Sequence, residues 1–263
     1  MKHGDFRWTL GLLFSFVTAL FVLYHGAENV VNNDILYLIA PFTAMVAGCI
    51  ALCHFGWEGK RAMVIRDMLV GAVMWFSGEV TLLFLAWQGM PASPSPADLF
   101  FFIGYLFFGR AVIREADLFT VKWKKLNFHV VAFLMTAFAV MAGVVGYIGA
   151  KGFDSEMGIL TNIATLSWSA GDLIVGGLSL VLLVMVWEYQ GGTVRREWSW
   201  FLGALLLHLV ADSAYSLSPA VIVDGSWINT LLNVLWVGGY FCIAGYFLEM
   251  ESEMRRVRMK ISR

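Results

Sequence analysis

Of the 263 residues in this chain, 59% are apolar and only 14% are charged, too few charged side chains to cover a water-facing surface, so an ordinary soluble domain is excluded. A net charge of −1 leaves no basic excess for a nucleic-acid partner. Apolar runs of about 17–25 residues, the length that crosses ~30 Å of hydrocarbon at about 1.5 Å per residue, recur eight times along the chain. The runs are oily on every side, unlike the alternating strands of about ten residues in a membrane barrel. The fold class is therefore all-α, a polytopic membrane protein of eight transmembrane helices embedded in the lipid bilayer.

The first run, 8–24, follows Lys2 and Arg7. Those flanks also suit a signal peptide, but no small-residue cleavage site follows in FVLYHGAENVVNND, and the run is read as a retained helix. The second, 35–54, contains Pro41 and ends on Cys49, Cys53 and His54. A zinc finger would need a second ligand pair close by, and haem attachment expects two residues between the cysteines, so these cysteines, like Cys242, are read as small apolar side chains. The third, 68–89, carries Trp75 and Glu79. The loop GMPASPSPAD follows, stiffened by three prolines, and Ser95 or Asp98 can cap the start of the fourth run, 98–114. Arg110 lies near the other end of that run, where it can snorkel to the headgroups.

The fifth run, 128–149, opens with His129; the sixth, 159–187, holds Ser167, Trp168, Ser169 and Asp172. His54 and His129 share one side and could bracket a haem, but interfacial histidines are commoner than ligands, and no cofactor is expected. The seventh run, 198–217, carries His208, Asp212, Ser213 and Tyr215; the eighth, 227–249, leads into a basic tail, 251–263. One transmembrane domain, 1–250, thus precedes a short tail.

Cytoplasmic loops collect Lys and Arg. With eight spans, all 18 basic residues except Lys151 fall on one side, which places both termini in the cytoplasm and the protein in the plasma membrane. The outer loops carry Glu28, Asp34, Asp154, Glu156 and Asp224, giving an acidic exterior.

The two halves are weakly alike. ADLFFFIGYLFFG in the fourth run lies against LNVLWVGGYFCIAG in the eighth, aligning Asp98 with Asn233 and Gly104-Tyr105 with Gly239-Tyr240. One helix earlier, Glu79 and Asp212 occupy matching places. Four helices per half is an even number, so repeats 8–114 and 128–249 would be parallel, with a working site between them.

An Asp at mid-bilayer costs about 2.5–3.5 kcal/mol even on the gentle insertion scale, so the intramembrane acids need a reason. Glu79, Asp98, Asp172, His208 and Asp212 occupy the middle and outer depth with no Lys or Arg beside them. At positions i and i+4, His208 and Asp212 share a helical face and can bond directly or share a ligand. His208 is expected either to donate to Asp212 and a second acid or to be satisfied by a backbone carbonyl. The candidate ligand-binding residues are Glu79, Asp98, Tyr105, Trp168, Asp172, His208, Asp212 and Tyr215, with no catalytic or metal-binding residue. The same residues also suit a structural network in which carboxyls and hydroxyls tie helices together.

PSPADLFFFIGY (94–105), GDLIVGGLSLVLL (171–183), ADSAY (211–215) and WVGGYFCIAGY (236–246) together resemble the multi-pass N-terminal sensor region that precedes diguanylate cyclase (GGDEF) and histidine kinase modules in bacterial signalling proteins. The resemblance covers roughly 66–249 in short motifs of moderate specificity. It implies a sensing or signalling role and supplies neither a ligand nor catalytic residues. Where such sensors tend to have Tyr-Pro before the Asp, this chain has WSAGD, and only EMESEMRRVRMKISR stands where an output domain would begin. Signalling is therefore expected to run through a separate cytoplasmic partner or a homo-oligomer.

Rival chemistries fall away unevenly. A retinal Schiff base needs an intramembrane lysine, and every lysine lies outside the apolar runs. An intramembrane zinc hydrolase would want two or three histidines together, and only His208 is deep. No nucleotide-binding, nucleophile-elbow or zincin signature occurs, so an enzyme is not expected. A proton- or cation-coupled transporter is the main alternative, since a buried carboxylate can exchange its proton for a substrate cation. A structural membrane scaffold is the second.

Overall fold

The computed structural model describes residues 5–23, 30–90, 94–118, 128–152, 158–189, 193–217 and 226–261. Among them every regular element is an α-helix: α1 (Asp5–Leu23), α2 (Val30–Phe55), α3 (Lys60–Trp87), α4 (Pro96–Leu118), α5 (Phe128–Gly152), α6 (Ile159–Tyr189), α7 (Thr193–Leu217) and α8 (Trp227–Ile261). Each apolar run is occupied by one helix, usually prolonged by its polar flanks. At 35 residues, α8 is the longest, roughly 52 Å at the α-helical rise and well beyond the hydrocarbon layer.

Six helices, α1 to α5 and α8, are long and apolar enough to cross a membrane. The chain has the build of a helical, multi-pass membrane protein. A shorter apolar stretch, Leu166–Leu182, lies in α6. In α7 the apolar residues are diluted by Arg195, Arg196 and Glu197 at its start and by His208, Asp212 and Ser213 in its body.

Local chemistry sets several helix ends. Ser95 sits ahead of Pro96: its hydroxyl accepts from the Ala97 N–H at 3.2 Å, and the Asp98 carboxylate accepts from the Ser95 N–H at 2.7 Å. This is a capping box with proline at the first helical position, where its missing donor costs nothing. At the far end of α3, Gly89 takes a φ of 64°, and the Gly89 and Met90 N–H groups donate back to Ala86 and Leu85 at 3.0 Å, closing a Schellman turn that a side chain would strain. Within α2, Pro41 leaves the Tyr37 carbonyl without its helical donor.

The helices α2, α3, α4, α6, α7 and α8 form a closed ring of neighbours, in which α3 packs most closely on α4 and α7 on α8. Outside the ring, α1 lies against α8 and α2, and α5 against α6 and α7. Large apolar side chains such as Phe16, Phe84, Phe102, Phe133 and Ile174 point outward, as a lipid-facing surface requires. Inside, Trp75 is at the centre, its ring 5.0 Å from both Tyr105 and Phe108, 4.7 Å from His208 and 5.9 Å from Tyr240.

One end of the bundle is held by ion pairs. Arg61 of α3 bridges Glu115 of α4 and Glu197 of α7, whose carboxylates are almost wholly buried. Arg114 reaches Asp67 at 2.6 Å, Arg7 reaches Glu249 at 2.6 Å, and Arg255 pairs with Glu251. Arg110 is half exposed, as a snorkelling side chain should be, yet it also lies 3.3 Å from Asp67. Arg7, Arg61, Arg110 and Arg114 are thus matched by acids from neighbouring helices, a pairing that the loop-charge count in the sequence does not reveal. The network also brings the ends of α1, α2, α3, α4, α7 and α8 that the loop charges group together to a single end of the bundle.

Candidate functional site

Toward the opposite end, residues of α2, α3, α4, α7 and α8, with Trp168 of α6 and Phe21 of α1, surround a cavity of about 400 Å³. Its wall is mostly aromatic, with Tyr37, Trp75, Phe101, Tyr105, Trp168, Tyr215, Trp236 and Tyr240, and its polar groups are Glu79, His208, Asp212 and Asn233. Among the described residues, no Lys or Arg contributes to the wall. A volume of this size falls within the ~300–1,000 Å³ of small-molecule sites, and a few convergent polar groups on an aromatic surface are the usual lining.

Each carboxylate is oriented by donors from other helices. Glu79 of α3 accepts from the Tyr240 hydroxyl at 2.6 Å and the Tyr37 hydroxyl at 3.3 Å, joining α3, α8 and α2. Asp212 of α7 accepts from the Trp236 indole at 2.6 Å, joining α7 to α8. Behind the wall, Asp172 of α6 accepts from the Tyr105 hydroxyl at 2.5 Å. These hydrogen bonds are partly or wholly buried and cross between helices, the kind that hold both partners in one rotamer.

His208 does not bond to Asp212, although the spacing allows it. Its Nδ1 lies 2.9 Å from the Ala204 carbonyl one turn back. A carbonyl only accepts, so Nδ1 carries the proton of that bond and Nε2 is the unprotonated nitrogen. Nε2 is buried without a hydrogen-bond partner. The ring is fixed from behind by Gly239 of α8, where a Cβ would fall inside the imidazole. Trp75 is fixed in the same way by Gly104 of α4, where a Cβ would fall inside the indole. Both are places where only glycine lets helix and ring approach so closely.

Of the residues singled out from sequence, Glu79, Tyr105, Trp168, His208, Asp212 and Tyr215 are brought together on one wall. Asp172 stands one layer behind, against Tyr105. Asp98 is not brought to the cavity; its carboxylate is engaged in the capping box at the start of α4. Tyr37 was not singled out, and Trp236 stood only within the WVGGYFCIAGY motif. Tyr240 was legible only through its alignment with Tyr105.

No family model, curated protein or solved structure matches this chain. The site therefore has to be read from its own chemistry.

Proposed function

We propose that this chain is a membrane receptor of the sensor type, which takes a small ligand from the exterior into the aromatic and acidic cavity and transmits its occupancy along α8 to a cytoplasmic partner or a second copy of itself. One observation carries the reading: Asn233, Trp236 and Tyr240 of α8 line the cavity, while the same helix pairs with Arg7, Arg196 and His54 through Glu249 and Glu251 at the opposite end. A ligand that shifts the hydrogen bonds of Glu79 or Asp212 acts directly on α8. A continuous helix carries that shift across the membrane as a rigid element.

In this reading all eight helices span, α6 and α7 included, because their polar side chains face the interior and not lipid. The motif resemblance to bacterial sensor regions points the same way. So does the matched placing of Gly104 under Trp75 and Gly239 under His208, which supports two parallel four-helix repeats with the cavity between them. The basic end faces the cytoplasm by the positive-inside rule, so the cavity opens outward.

Two repeats around buried carboxylates also suit a carrier, and accessibility separates the two. In a background with Cys49, Cys53 and Cys242 replaced, Asn233→Cys is treated with a membrane-impermeant maleimide in intact cells and in inverted vesicles. The receptor reading expects labelling from the exterior alone. Labelling from both sides identifies a carrier, and labelling from neither or only from the inside overturns an outward-open site.

A further inference from the structure

We propose that, independently of what the cavity takes, the bundle holds an anionic phospholipid by its phosphodiester on the flank formed by α3 and α4 at the ion-paired end. Along α4, Leu99, Phe102, Leu106 and Ile113 stand on one line at helical spacing, and each is more than half exposed. That line is the lipid-facing side of the helix. Arg110 stands on it too, four residues after Leu106 and three before Ile113, with its side chain 51% exposed. The apolar line continues past it to Ile113, so the guanidinium leaves the bundle within the lipid-facing surface and not beyond it. Charged donors left without an acceptor in that position are costly.

Asp67 sets two guanidiniums side by side. Its carboxylate, itself 3% exposed, lies 2.6 Å from Arg114 Nη1 and 3.3 Å from Arg110 Nε, and Arg114 Nη1 is also 3.5 Å from the Met63 carbonyl. The Arg110 guanidinium rests 5.9 Å from the Phe107 ring. These contacts engage one nitrogen of each arginine, and a guanidinium has five N–H donors, so both keep donors for a further acceptor. Arg66, beside Asp67 in the chain and half-buried, adds a third positive charge, while the next acid on this face of α4, Asp117, lies two turns beyond Arg110. The three arginines therefore outnumber the two acids. A phosphodiester fits what is left over: its paired oxygens match the planar fork of a guanidinium, its charge offsets the surplus, and acyl chains from it would run along Leu106 and Phe102. An ester or hydroxyl would accept without balancing charge, and a zwitterionic head group brings a cation of its own toward the arginines.

The test uses the full-length chain purified in a neutral detergent, with phosphatidylglycerol, phosphatidylcholine and inorganic phosphate as probes. Lipid retention is read by native mass spectrometry, and affinity by the rise in melting temperature on titration. Phosphatidylglycerol is expected to bind more tightly than phosphatidylcholine, and Arg110→Gln should weaken it roughly tenfold. Arg110→Lys keeps the charge and loses the fork, so its affinity should fall between the two. Arg255 is equally exposed but stands beyond the apolar run of α8, and Arg255→Gln should leave the affinity unchanged. Size-exclusion profiles establish that each variant is folded, and if Arg110→Gln is not, Arg110→Lys carries the comparison. Equal affinity for the two lipids, affinity unmoved by the Arg110 variants, or an equal loss in Arg255→Gln overturns the site. Inorganic phosphate that matches the lipid in affinity and competes with it overturns the lipid assignment in favour of a soluble anion.

Discussion

Arg61→Met removes the cation that Glu115 and Glu197 share, and the structure fixes how much this should cost. The Arg61 side chain is 26% exposed, but the carboxylates it bridges are only 0% and 3% exposed. They belong to α4 and α7, so the loss separates two parts of the helix ring and not one local pair. Removing one partner of a buried ion pair costs about 3–5 kcal/mol, because it leaves uncompensated charge behind. The partial exposure of Arg61 argues for the lower half of that range. With about 2–4 °C per kcal/mol for a chain of this size, the melting temperature in detergent should fall by roughly 10 °C, read by the intrinsic fluorescence of the 11 tryptophans. Adding Glu115→Gln and Glu197→Gln to Arg61→Met removes the stranded charges and should restore most of the loss. A single variant as stable as wild type, or a triple variant no better than the single, would refute the clamp.

The other predictions concern the cavity end and the topology. Gly239→Ala drives a methyl group into the His208 ring and should destabilise by about 1–3 kcal/mol, whereas Gly11→Ala, with nothing within 4 Å of its Cβ, should leave the melting temperature unchanged or slightly higher. Tyr105→Phe takes away the hydroxyl that donates to Asp172 and should cost about 1–3 kcal/mol, since a buried acceptor loses its donor; thermal unfolding measures it, and Phe101→Leu nearby serves as a control for lost ring packing. Reporter fusions after Arg196 and at Arg263 should read cytoplasmic, and one in the loop before Pro96 should read external.

Helix positions were legible because a bilayer demands long apolar runs, which stand out most clearly in α1 to α5 and α8. A carboxylate in such a run is conspicuous, and two of the four acids chosen on that basis, Glu79 and Asp212, meet at one wall with His208, Tyr105, Trp168 and Tyr215. Asp98 is engaged in capping α4, which depends on the exact phase of the helix start and not on composition. The His208–Asp212 pairing failed because i,i+4 spacing makes a contact available without requiring it, and Ala204 and Trp236 were the better partners. Least legible were the buried acids Asp67, Glu115 and Glu197. Next to basic residues near helix ends they look like solvated loop charge, and only the three-dimensional register of α3, α4 and α7 shows that they face inward.

The central claim, that occupancy of the cavity is read at the cytoplasmic end of α8, can be tested without knowing the ligand. In a chain lacking Cys49 and Cys242, Asn233→Cys is first alkylated from the exterior to fill the cavity with a covalent adduct, confirmed by mass. Spin labels at Cys53 of α2 and Ser252→Cys of α8, introduced from the cytoplasmic side, then report the distance between those helix ends. The account predicts a different distance distribution with the adduct in place. An identical distribution at complete alkylation would contradict it.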